Sequence, residues 1–217
     1  MTLSDLWEST RRALLLVTAF LGLVGCAAHR VDTPSTRAPD VTSGILRLIS
    51  AHSLGQGCPI DAHVLLTARH VATKARIVGP PEPVPVIWSD PAGHTGSAWL
   101  VAFDARRDLA MMQSDRPFHK WYPRATTEPP IDERVQIVGY DYTTPLRPQV
   151  AHVRVLNIVS AHLVLSSGAA PGFSGSCVLD SRGAVVGIFV GLVGGARQHG
   201  LAVSVYGEWS DVGRGRK

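Results

Sequence analysis

The stretch Ala169–Ile188, AAPGFSGSCVLDSRGAVVGI, sets Ser174 between Gly172 and Gly175 and then runs into an apolar hairpin pattern. Glycine loses the most backbone freedom on folding, so its repeated use marks a chain that turns unusually or is closely approached. Two readings stand. Either these residues make a tight turn between strands, or they hold the Ser174 hydroxyl up as a nucleophile beside backbone N–H groups. The stretch alone does not choose between them; its partners elsewhere in the chain do.

Outward from that turn, short apolar runs alternate with turn signals from Gly44 onward, the pattern of an all-β fold. ILRLIS, HVLLTA, ARIVG, VPVIWS, AWLVAF, LAMMQS, RVQIVGY, VAHVRVLNIV, LVLSS, SCVLD, AVVGIFVG and LAVSVYG each read as a strand. DSRG, Asp180–Gly183, reads as the hairpin turn between two of them. No convincing helical period follows residue 43. DRPFHKWYPRATTEPPIDE, Asp115–Glu133, carries four prolines and no alternation, so it separates two β units of similar size. A single sandwich is the competing architecture, and a dozen strands exceed its usual number.

Composition narrows the function. Of 217 residues, 45% are apolar and 18% charged, enough for a real core. The net charge of +4 comes from scattered Arg and Lys with no basic stripe interleaved with aromatics, which argues against nucleic-acid binding. The histidines show no metal-ligand spacing and no Cys/His cluster exists, so neither metal nor cofactor is expected.

Three segments carry the chemistry, in the order His, Asp, Ser. HVLLTARHVA sets His70 just after an apolar strand, before a turn or short helix; DARRDLAMM sets Asp108 at the head of another strand; PGFSGS sets Ser174 in the glycine turn. Asp104 is the competing carboxylate, although its Ala-Arg-Arg context suits a solvated turn. The α/β-hydrolase order is Ser, acid, His, and its elbow needs Gly-x-Ser-x-Gly, whereas residue 176 is Ser. That alternative fails.

In this setting residues 55–204 resemble a trypsin-like serine protease of the compact bacterial kind, similar to HtrA protease domains and glutamyl endopeptidases. The resemblance rests on GQGCPIDAHVLLTARHV, DLA, PGFSGSCVLDSRGAVVGI and GLAVSV, in order and at family-like spacing. It implies two packed antiparallel β-barrels with the active site between them. It also implies His70 as general base, Asp108 as its orienting carboxylate, Ser174 as nucleophile, and an oxyanion hole from the N–H groups of Gly172 and Ser174. Phe173 departs from the polar residue common before the nucleophile, so activation by trapping a new N-terminus is not available. Cys58 lies on the strand that runs near the nucleophile loop in such folds, which implies a Cys58–Cys177 disulfide; two separate buried thiols are the alternative. The pocket floor falls at Gly168 and Ala169 with an aliphatic wall at Val190, implying cleavage after small or apolar side chains of a protein or peptide substrate. A non-enzymatic protease-fold binding module and an esterase are the rival functions.

The N-terminal segment reads as export machinery. Arg11-Arg12 precede the apolar run Ala13–Val24, too short to span a bilayer, which ends in Leu23-Val24-Gly25-Cys26. This ending resembles a bacterial lipobox and implies lipidation at Cys26, a membrane anchor, and a position outside the cytoplasm, on the outer membrane facing the periplasm. The expected organisation is a signal peptide over 1–25, a tether over 26–43, a protease domain over 44–210 and a tail over 211–217. Within the domain, the first barrel covers about 44–118 and the second about 130–210.

Overall fold

The computed structural model describes residues 40–74, 82–141, 147–167, 169–194, 198–206 and 213–214. Cys26, Gly168 and the run ARIVG lie outside the described residues. The first group of strands is β1 (Leu46–Ile49), β2 (Leu54–Pro59), β3 (Val64–Ala68), β4 (Thr73–Lys74), β5 (Glu82–Pro83), β6 (Val86–Ser89), β7 (Thr95–Asp104) and β8 (Leu109–Ser114). The second is β9 (Arg134–Gly139), β10 (Gln149–Val159), β11 (His162–Leu165), β12 (Cys177–Leu179), β13 (Val185–Val193) and β14 (His199–Ser204). One helical turn, α1 (Arg69–Ala72), follows β3, and β15 (Gly213–Arg214) comes last.

Two antiparallel barrels result. In the first the order is β7-β6-β1-β2-β3-β8, and β8 pairs back onto β7 to close six strands. The second runs β10-β11-β14-β13-β12-β9 and is likewise closed. Closure removes the exposed strand edges that an open sheet would present. β15, within the stretch read as a tail, pairs with Phe103 and Ala102 of β7, and β4 and β5 form a separate ribbon. Asp115–Glu133 carries no regular strand, yet it is fastened. Val185 N–H donates to Pro123 O (2.8 Å) and Ala125 N–H to Val185 O (2.9 Å). Residues 40–43, read as part of a tether, are held too: Lys120 Nζ donates to Asp40 O (2.6 Å) and to Ser43 Oγ (2.7 Å), and the Tyr122 hydroxyl donates to Val41 O. Burial pushes the Tyr122 hydroxyl far above its ordinary pKa.

The strands nearest the barrel junction are buried on both faces. Along β12, Val178 points into a cluster with Ile137, Leu163 and Phe189, while Cys177 and Leu179 join the cluster that includes Leu48, Leu65 and Leu66 of the first barrel. Alternate side chains of a strand face opposite sides, so a strand between two apolar layers must be apolar throughout. This is why CVL and AVVGIFV read as continuous runs. Each fully buried Val, Leu or Ile side chain contributes about 1.5–3 kcal/mol relative to exposure.

Cys58 of β2 and Cys177 of β12 are joined by a disulfide that spans 119 residues, with Cα atoms 5.1 Å apart. Both are fully buried. The bond ties one barrel to the other and removes a long loop's closure entropy from the unfolded chain. Replacing both cysteines with serine is expected to lower the unfolding free energy by about 3–5 kcal/mol. Urea denaturation of the variant against the parent measures this; an unchanged midpoint would show that the bond adds no constraint.

Candidate active site

Strand register brings the first two residues together. β3 and β8 pair with Ala68 opposite Leu109, so His70, two residues beyond Ala68, meets Asp108, one residue before Leu109. The chain turns sharply to allow it: Asp108 adopts φ 57°, a left-handed conformation that Asp tolerates better than most residues. Its carboxylate holds the histidine at two points. Oδ1 accepts from the His70 backbone N–H at 3.0 Å, and Oδ2 lies 2.6 Å from the ring Nδ1. The Asp108 carbonyl accepts the N–H of Arg69 at 2.8 Å. Arg69 Nε, buried and without a hydrogen bond, sits 3.7 Å from Asp108 Oδ1.

Asp104, the rival carboxylate, faces elsewhere. It accepts from the N–H groups of Arg106 (2.9 Å) and Arg107 (3.1 Å) and from Arg107 Nε (2.6 Å). Burial alone would raise its pKa, but these bonds and the Arg107 charge outweigh it and hold the carboxyl below the ordinary range. It is a turn residue, closing the connection from β7 to β8.

Ser174 stands on a turn held by strands of both barrels. Its carbonyl accepts the Gln56 N–H of β2 at 2.8 Å, and the next N–H, of Gly175, donates to Phe189 O of β13 at 2.7 Å. Gln56, which sequence reasoning passed over, adds a side-chain brace. Its Nε2 donates to Gly172 O (2.9 Å) and Tyr140 O (3.2 Å), while its own carbonyl accepts from Thr67 Oγ1 (2.7 Å). The available signal was a long amide between two glycines at 55–57, in a strand with little room for one. Phe173, at the position that departs from the family pattern, is buried in the second barrel's core and anchors the turn from below.

The glycines around Ser174 are there for steric reasons. Gly175 has φ +92°, and a Cβ there would collide with Gln56 O and Thr67 Oγ1. Gly172 also has positive φ, at 103°. The N–H groups of Gly172 and Ser174 donate to no acceptor among the described residues. Gly55 of β2 is where the two halves of the site meet: a Cβ on it would lie 2.6 Å from a Val71 methyl and 2.9 Å from Ser174 O. The helical turn bearing His70 and the turn bearing Ser174 therefore approach across a residue with no side chain. Ser174 Oγ itself makes no hydrogen bond to His70 or to any other described residue. Such bonds are often long before substrate arrives and tighten when it seats.

Of the positions expected to shape specificity, Ala169 packs against the second barrel's core and Val190 is buried at the junction. Beyond Val190 the strand emerges, exposing Leu192 and Val193.

The arrangement is similar to known proteins. A family model described as the trypsin-like peptidase domain matches residues 55–188. Among solved structures, a serine endoprotease from Yersinia pestis superposes with TM-score 0.60 at 21% identity, over 75% of this chain and 59% of that one. The chain thus spans less than two thirds of that enzyme's length. The Rv3671c protease of M. tuberculosis in its active form gives TM-score 0.64 at 14% identity, over 76% of this chain and 77% of that one. Its Ser343Ala mutant in the inactive form gives 0.61 at 16%, over 78% and 86%. At these identities the likeness speaks for the fold. No curated protein matches the sequence.

Two glycines of similar φ should respond differently to substitution. Gly183, φ +79°, has nothing within 4 Å of where a Cβ would sit, whereas Gly175 is enclosed by backbone. Gly183→Ala is expected to cost about 1–2 kcal/mol for placing a Cβ in the left-handed region, and Gly175→Ala to cost several times more or to prevent folding. Thermal melts of the two variants decide; equal shifts would refute the enclosure.

Proposed function

The chain belongs to the trypsin-like peptidase domain family, and we propose that it is a serine endopeptidase using His70, Asp108 and Ser174. One observation supports the reading: the helical turn on which Asp108 holds the His70 imidazole meets the Ser174 turn across Gly55, at the junction of the barrels. In the proposed reaction His70 Nε2 accepts the Ser174 hydroxyl proton as Oγ attacks the scissile carbonyl carbon. The Asp108 carboxylate keeps Nδ1 protonated, fixes the ring and stabilises the imidazolium. The N–H groups of Gly172 and Ser174 take the developing oxyanion, and each such donor accounts for about 10²–10³ in rate. The tetrahedral intermediate then collapses. The C–N bond breaks, the amine leaves with the proton from His70, and the acyl group remains on Oγ. Water, deprotonated by the same imidazole, releases the acid and regenerates Ser174.

Specificity and location follow as parts of the same proposal. Ala169, Val190 and the aliphatic strand beyond offer no carboxylate to receive Arg or Lys, which supports cleavage after small or apolar side chains. The apolar run ending at Gly25-Cys26 supports export and lipidation of Cys26, each buried acyl methylene contributing about 0.8 kcal/mol to membrane binding. The protease would then act at a membrane surface outside the cytoplasm.

The two aspartates supply the test. With a peptide library as substrate, Asp108→Asn is expected to lower kcat/KM about 10⁴-fold, and Asp104→Asn to leave it within a few-fold. Peptide hydrolysis by the parent that survives Asp108→Asn, or cleavage of acyl esters but no peptide, would overturn the assignment.

A further inference from the structure

A second carboxylate–imidazole pair lies on the first barrel, in the tight connection between β6 and β7. Asp90 Oδ1 accepts the backbone N–H of His94 at 2.9 Å, and Oδ2 lies 2.7 Å from the His94 ring Nδ1. These are the same two bonds that fix His70, but the carboxylate here is more deeply set, its side chain 4% exposed against 31% for Asp108. The loop is tightened further by Asp90 N–H to His94 O (3.0 Å) and Gly93 N–H to Asp90 O (3.1 Å). Nδ1 being occupied, the free nitrogen of His94 is Nε2, on a ring that is 57% exposed. Among the described residues no serine turn of the Ser174 kind accompanies this pair.

A second imidazole faces it. The ring of His119, on the segment leaving β8, has its centroid 5.4 Å from that of His94, with planes 32° apart. Both rings line a cavity of about 590 Å³ together with Thr95, Arg116, Phe118 and the Trp88 edge. The floor is rigid: Trp88 is buried, bonded through Nε1 to Ser114 Oγ (2.8 Å), and packed edge-on against Phe118 at 5.2 Å.

We propose that His94 and His119 form a two-imidazole site for a divalent transition-metal ion of the zinc, nickel or copper kind. Two imidazoles on one tetrahedral ion, each with its nitrogen about 2.0–2.1 Å from the metal, have ring centres about 5 Å apart, close to the separation observed. A histidine ligand donates its other N–H to a carboxylate or carbonyl, which fixes the tautomer and the ring's orientation. Asp90 is that carboxylate. Both of its oxygens are committed to His94, which makes it a positioning residue and leaves the imidazoles as the ligands. Among the described residues no group of three or more His, Cys, Asp or Glu is placed to hold a metal, so the remaining positions fall to water. Imidazole nitrogen suits these borderline ions and not calcium or magnesium. The bound ion would clip the β6–β7 loop to the segment that leaves the first barrel.

The test is calorimetric titration of the untagged protein with ZnCl₂ and, separately, CuCl₂. The expected result is one ion per chain at this site, with copper tighter than zinc. His94→Ala and His119→Ala, both at exposed positions, should each weaken it at least about tenfold, and Asp90→Asn by about 10–100-fold. Zinc should raise the melting temperature of the parent and not of the two alanine variants. Unchanged binding in both alanine variants overturns the proposal, as does a parent that takes up no metal. Binding of inorganic phosphate that depends on His94, without metal binding, overturns it in favour of an anion site. The active-site imidazole is untouched by these substitutions, so peptide hydrolysis measured alongside keeps this outcome separate from that of the proposed protease activity.

Discussion

The proposed active site depends on one crossing, where β2 of the first barrel meets the Ser174 turn of the second. The Gln56 N–H donates to Ser174 O, the Gln56 side chain braces Gly172 O, and two residues further along β2 Cys58 is bonded to Cys177. Without that crossing the site would be in halves, the imidazole and carboxylate on one barrel and the hydroxyl on the other. Close-packed interiors transmit such constraints because neither side can shift without opening a void. The crossing also explains why the glycines cluster there: Gly55 and Gly175 sit where one backbone lies directly against another.

The rest of the architecture serves to hold that crossing still. Both barrels are closed, so neither offers a loose edge strand from which local opening can start. The strands at the junction bury both faces, so the core of one barrel continues into the other. Register then finishes the site. Pairing Ala68 with Leu109 leaves His70 and Asp108 as the next residues out from the ladder, which explains how a helical turn and a left-handed aspartate come to be neighbours.

Much of this was legible in the residues, and the failures have physical causes. The apolar strands announced themselves through β-branched runs, and the break at Asp115–Glu133 through proline. β2 did so only through the family resemblance: LGQGCP has no β-branched residue and no apolar run to mark it as a strand. It is a strand because both neighbours pair with it, a tertiary effect that overrides local propensity. For the same reason Gln56 escaped notice, since its role depends on carbonyls more than eighty residues away. Asp108 could be preferred to Asp104 from its neighbours, while the reason for it, the capture of Asp104 by Arg107, needed three dimensions. The Asp90–His94 pair is local in sequence, but its partner His119 is not, and ligand spacing along the chain could not reveal it. The fold thus holds two histidines in the same way, each by a carboxylate at Nδ1 and at the backbone N–H.

The central claim is that Ser174 is an activated nucleophile. The direct measurement is reaction of the folded, untagged protein with a fluorophosphonate, followed by mass analysis of its peptides. The account predicts a single adduct, on the peptide containing Ser174, lost in Ser174→Ala and in His70→Ala. Folded protein that takes up no reagent, or that carries the adduct on another residue, would contradict it.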